Sequence, residues 1–199
     1  MRASDDATVR RVRDGETEAF EDLVAAHAEA VYRMAAAATS DPGEAEDLTQ
    51  TCFVEAFTRI GELRDGRRFA PWLFAIAHNR CRDWLRKHSR RPVLLADPSE
   101  LSGADPPELP GNPESHAVSS ARDEAIRRAV NSLPADYRAV VVLRYAGELS
   151  YAEIAEAMGI KLSAVKMRWH RARKMLQTRL RHYLGDEYVD EACGDLRTR

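Results

Sequence analysis

No apolar run in this 199-residue chain exceeds six residues, Trp72 to Ala77, and a bilayer-spanning helix needs about 20. The opening stretch MRASDDATVRR has no apolar segment, so no secretory signal is expected. Cysteine is scarce. Cys52, Cys81 and Cys193 are odd in number and far apart, which excludes a disulfide framework and fits reduced thiols in the cytoplasm. The signatures of catalysis are also missing: there is no Walker loop, GxGxxG, HExxH or GxSxG, and the histidines belong to no nucleophile motif. His78 and Cys81 share one helical face, but two ligands do not close a metal site. The acidic group Asp41, Glu44, Glu46 and Asp47 is explained by a helix N-terminus, which favours carboxylates. The chain therefore reads as no enzyme, with no metal and no cofactor.

Charge is present in quantity but segregated. The formal net charge is only −2, yet residues 64–91 hold nine basic and two acidic side chains. Residues 92–120 hold five acids and no Lys or Arg, and residues 161–182 hold eight bases and no acid. Two separate cationic segments suggest contact with a polyanion at two places. The first includes PWLFAIAHNRCRDWLRKHSRR, residues 71–91, with six bases, one acid and two of the three tryptophans. Taken alone, it reads first as a solvated basic face over a packed aromatic core.

The periodicity predicts an all-α fold of two small helical domains and a flexible linker. Phe20, Leu23, Val24, His27, Val31, Met34 and Ala38 follow helical spacing. Asp41, Pro42 and Glu44 read as an N-cap, a first helical residue and a capping-box partner. Leu48, Cys52, Ala56, Phe57 and Ile60 form that helix's buried stripe, and Gly61 stops it. Pro71 opens the basic helix and Pro92 closes it. Residues 1–91 are thus one domain. Residues 92–120 hold six of the nine prolines and read as an acidic linker, either a passive tether or a functional one. Residues 121–185 form the second domain, and residues 186–199 an acidic tail. In the second domain, Ser150 to Glu153 is a capping box, Gly159 a stop, and Ser163 the cap of a long basic helix. Short helix, glycine turn and longer helix is the helix-turn-helix pattern. With Val165, Trp169, Ala172 and Leu176 inward, Ser163, Lys166, Met167, His170, Arg171 and Lys174 face outward, where a recognition helix meets the major groove. A hairpin for protein contact is the plainer alternative. On the first basic helix, His78, Asn79, Arg82, Arg86, Lys87 and Arg90 are the outward set, with Arg67 and Arg68 before it and Phe69 placed to stack on an unpaired base.

At this point the motifs resemble a known family. DPGEAEDLTQTCFVEAF is similar to region 2.2 of the extracytoplasmic-function sigma factors, a small branch of the bacterial sigma-70 family. Trp72, Leu73, Ile76, Ala77, Asn79, Asp83 and Arg86 match the W-L-x-x-I-A-x-N-x-x-x-D-x-x-R pattern of regions 2.3 to 2.4, and residues 133–176 resemble region 4. Met167 and Trp169 depart from the usual V-K-S-R-L-H-R-A-R. The resemblance implies a promoter-specificity subunit. Its first domain would dock on core RNA polymerase (β′ clamp) through Asp47, Leu48, Gln50 and Phe53. It would read the −10 element through Arg67, Arg68, Phe69, His78, Asn79, Arg82, Arg86 and Lys87. The second domain would read the −35 element beside the β flap, the linker would thread toward the active-site channel, and an anti-sigma factor would restrain the chain. A stand-alone helix-turn-helix regulator is the rival reading. It would have no use for the 41–60 motif.

Overall fold

The computed structural model describes residues 3–39, 41–63, 68–88 and 121–184. The linker and tail expectations, and those for Arg67, Arg90, Pro92 and Cys193, lie outside these residues. Among the described residues the fold is helical, with no strand. Helices α1 (Ala3–Arg13), α2 (Phe20–Thr39), α3 (Pro42–Arg59) and α4 (Phe69–His88) form the first half. Helices α5 (Ala121–Asn131), α6 (Ala135–Tyr145), α7 (Tyr151–Met158) and α8 (Leu162–Leu184) form the second. No helix among them is long and apolar enough to cross a membrane.

Helix α2 is the axis of the first half, because Leu23, Val31, Met34 and Ala35 at helical spacing are buried against α3 and α4. Helix α3 starts where the sequence implies: the Asp41 carboxylate accepts the Glu44 N–H at 2.9 Å, and Pro42 takes the first position. The box is incomplete, however. The Glu44 side chain instead accepts the Trp84 indole N–H at 3.1 Å, which ties the start of α3 to α4. Gly61 falls inside a short 3-10 turn (Ile60–Glu62) rather than stopping the helix. Helix α4 begins at Phe69, two residues before Pro71.

Helix α1 has no counterpart in the sequence reading. Val9 and Val12 bury it, and the Asp5 carboxylate meets His27 Nε2 of α2 at 2.9 Å, both side chains being almost fully enclosed. Such a pair fixes the docking of α1, since removing either partner strands a buried polar group. The second half packs α5, α6 and α7 around α8. The two halves also touch, α2 against α6 and α4 against α7, so the buried core runs through both.

Candidate nucleic-acid interface

The helix-turn-helix is built from local chemistry. Ser150 Oγ accepts the Glu153 N–H at 3.3 Å while the Ser150 N–H donates to Glu153 Oε2 at 2.7 Å. This reciprocal box starts α7 and contributes about 1 kcal/mol. Gly159 ends α7 in the left-handed conformation (φ 65°), where a Cβ is unfavourable. Helix α8 then starts at Leu162, so Ser163 lies within its first turn and is not its cap. Val165, Trp169, Ala172 and Leu176 are buried. Trp169, 8% exposed, lies against the rings of Tyr145 and Tyr151 at 5.6 and 6.1 Å. Ser163, Lys166, Met167, His170, Arg171 and Lys174 are all exposed, as the spacing implies. Met167 is 46% exposed, an apolar side chain set among cations. Arg168, beside this face, is engaged by Asp136 of α6 at 2.7 Å.

Helix α4 divides its charge between structure and surface. Arg80 Nε donates to Glu55 Oε2 of α3 at 2.6 Å. Burial would raise the Glu55 pKa, but hydrogen bonds from Arg80 and Arg59 hold it below the ordinary carboxylate range. Asn79, Arg82, Arg86 and Lys87 remain exposed along the outer side. Of the tryptophans, Trp84 both donates to Glu44 and stacks on His88, with ring centres 4.3 Å apart. Trp72 leans on Phe69 at 6.0 Å. The indoles brace the helix that carries the cations.

Two residues expected on this surface are not on it. Phe69 is fully buried among Phe20, His27 and Trp72, because it sits at the inner end of α4 where three helices converge. His78 is buried too, facing Arg82 on its own helix, Asp136 of α6 and Arg168 of α8. Burial pushes its imidazole from 6.5 down to about 4, with Arg82 adding to the fall, so it is neutral at pH 7. Arg68 is exposed but ion-paired with Glu156 of α7. Cys52 and Cys81 are buried thiols, each pushed up to about 12 chiefly by burial, and have no thiolate character at neutral pH.

On α3, Asp47 and Gln50 are exposed, but Leu48 and Phe53 belong to the core. Val54 (66% exposed) and Phe57 (41%) are open instead, which reverses the expected roles of Phe53 and Phe57. Steps of three, four and three residues align Asp47, Gln50, Val54 and Phe57 in one stripe. The stripe ends in two exposed apolar side chains, of which Phe57 also meets the Phe20 ring of α2 at 5.1 Å.

Family models for sigma-70 region 2 and sigma-70 region 4 match residues 23–91 and 123–176. The chain is 32% identical over 180 residues to the ECF RNA polymerase sigma factor SigW of Bacillus subtilis, covering 87% of this chain and 95% of that one. It is 30% identical over 183 residues to the sigma-E factor of Escherichia coli K12, covering 89% and 94%. CnrH, solved in complex with the cytosolic domain of CnrY, superposes with a TM-score of 0.63 at 26% identity, over 90% of this chain and 99% of CnrH. RpoE of Bartonella quintana, solved with the anti-sigma factor NepR, gives 0.60 at 27% identity, over 81% and 96%. The profiles fall on the two helical halves, and the exposed cations fall on α4 and on the recognition helix of the helix-turn-helix. The chain therefore belongs to the extracytoplasmic-function branch of the sigma-70 family and is a sigma factor that directs promoter-specific transcription by RNA polymerase.

Proposed function

We propose that α8 reads the −35 element and α4 the −10 element while α3 docks on core polymerase. The observation that carries this assignment is the division of α8: Trp169 and its buried stripe face the domain core, and Ser163, Lys166, Met167, His170, Arg171 and Lys174 face outward. Lysine and arginine reach phosphates and guanine edges in the major groove, and serine or methionine fits between them. On α4, Asn79 offers a donor and an acceptor to a base edge, while Arg82, Arg86 and Lys87 hold the backbone of the parting strand. Arg68 would join them once released from Glu156.

The stripe Asp47, Gln50, Val54 and Phe57 would bind the β′ clamp, with apolar contact at one end and hydrogen bonding at the other. A stand-alone regulator would leave this stripe without a partner. The second half would lie near the β flap. The protein would act in the cytoplasm, without chemistry of its own, its catalytic step belonging to the polymerase. A sigma factor with NepR and CnrH with CnrY support a restraining anti-sigma partner here too.

Permanganate footprinting of thymines near −10, with core polymerase present, tests the α4 assignment. Unstacking a base costs a few kcal/mol, and the binding of Asn79 and Arg82 to the exposed strand offsets part of it. Asn79→Ala with Arg82→Ala is expected to reduce thymine reactivity on duplex promoters and to matter less on templates already melted at −10. Full strand opening by the double variant would return α4 to a solvated structural helix.

A further inference from the structure

The six outward residues of α8 are polar at every position but one. Ser163, Lys166, His170, Arg171 and Lys174 offer hydroxyl, ammonium, imidazole or guanidinium groups, and residues 161–182 contain no acid. Met167 stands among them with 46% of its surface open. At 3.6 residues per turn it lies about 170° from the middle of the buried stripe Val165, Trp169, Ala172 and Leu176. It therefore points straight away from the domain core, with Ser163 one turn before it and Arg171 one turn after.

The helix beneath it is firmly anchored. Val165 and Ala172 are fully buried, and Trp169 lies against Tyr145 and Tyr151. Helices α5, α6 and α7 all pack on α8. Met167 is the sixth residue of α8, in the N-terminal half by which a recognition helix meets base edges.

Chemistry then restricts what this side chain can meet. A single exposed methionine elsewhere on a surface calls for no explanation. At the centre of a face turned to base edges it matters, because a thioether has no N–H or O–H to donate. Guanine presents only the acceptors O6 and N7 in the major groove, and a methionine laid over them would leave them buried and unpaired. Cytosine N4 would find only the weak acceptor sulfur. Thymine presents its C5-methyl, the one apolar group on that surface. A flexible, polarisable side chain adapts well to such a contact.

We propose that Met167 is a specificity-determining residue that packs on the C5-methyl group of one thymine in the −35 element. That base pair is selected by apolar contact, while the surrounding cations select by charge and hydrogen bond. The inference rests on the assignment of α8 to the −35 element and names the group that one position of it reads. Burying a methyl group between the thioether and the base contributes about fourfold in affinity.

The test uses the full chain assembled with core polymerase, on a promoter chosen from the fragments it selects. Each thymine of the −35 element, on either strand, is replaced in turn by deoxyuridine, which lacks the C5-methyl and keeps every hydrogen-bonding group. In competition binding, the wild-type protein is expected to lose about fourfold in affinity at the thymine beneath Met167. Met167→Ala is expected to bind the unmodified promoter about fourfold or more weakly and to be indifferent to deoxyuridine at that position, since both changes remove the same contact. Repeating the selection with Met167→Ala is expected to relax the preference at that base pair alone. Circular dichroism of the variant should match wild type, because the side chain is exposed. Wild-type binding indifferent to every replacement, or a loss at one thymine that Met167→Ala retains in full, would overturn the proposal. So would a selected −35 element without an A·T pair. Arg171→Ala separates the two levels. If it weakens binding while the deoxyuridine scan is flat, α8 still reads the element and only the role of Met167 falls. If Arg171→Ala and Met167→Ala both leave affinity and base preference unchanged, the assignment of α8 falls as well.

Discussion

His78 shows how one residue registers the packing of three helices. Its imidazole, ordinarily near 6.5, titrates at about 4 because it is buried, and Arg82 and Arg168 outweigh the opposing Asp136. Between these values the unfolded chain binds a proton that the folded protein refuses, so stability falls as pH falls through this window and is unaffected above it. About 2 kcal/mol is expected to be lost between pH 7 and pH 5 from this group. Denaturant titrations at both pH values should show a smaller loss for His78→Gln than for wild type, and equal losses would contradict the burial. Trp169 is a second case. Trp169→Ala removes a core ring lying on Tyr145 and Tyr151 and is expected to cost about 3–5 kcal/mol by thermal or denaturant unfolding. A changed promoter preference with an unchanged melting temperature would place the ring on the DNA side instead.

At the scale of elements, the roles proposed for α8 and α3 are separable. Lys166→Ala and Arg171→Ala are each expected to weaken −35 binding by on the order of 1–3 kcal/mol where the side chain reaches a base edge. A residue that meets phosphate alone would weaken all sequences alike and lower the salt slope. On α3, Asp47→Ala, Gln50→Ala and Val54→Glu together are expected to weaken binding to core polymerase, measured by fluorescence titration, while circular dichroism stays unchanged. Unaltered affinity would move the interface off this stripe. These elements also mark what the sequence makes legible. Pro42 after Asp41, the Ser150–Glu153 box and Gly159 act within one turn, so their helix ends are readable from neighbouring residues. The inward stripe of α8 is readable because four large or small apolar residues recur at helical spacing. Helix α1 is not, because only Val9 and Val12 mark its apolar side and its anchor, His27, is 22 residues from Asp5. Phe53 and Phe57 are both plausible core residues by spacing, and both meet the Phe20 ring of α2, at 6.4 and 5.1 Å, yet of the two only Phe53 is buried. Phe69 and His78 are enclosed by residues distant in sequence, which periodicity along α4 cannot reveal.

At the scale of the molecule, two cationic helices on separate halves explain how a chain with a net charge of −2 can bind DNA. Affinity follows the local field and the phosphates it faces rather than the total charge. The division also fits dependence on a partner, since melted −10 DNA is costly to expose and the contact proposed for the α3 stripe would let polymerase offset that cost. The most direct measurement of the central claim is run-off transcription from a library of promoter fragments, with the purified chain, core RNA polymerase, or both. Transcripts starting at discrete positions downstream of paired −35 and −10 motifs are predicted only when both are present. The same start sites from core polymerase alone, or tight duplex binding by the chain alone with no effect on initiation, would contradict it.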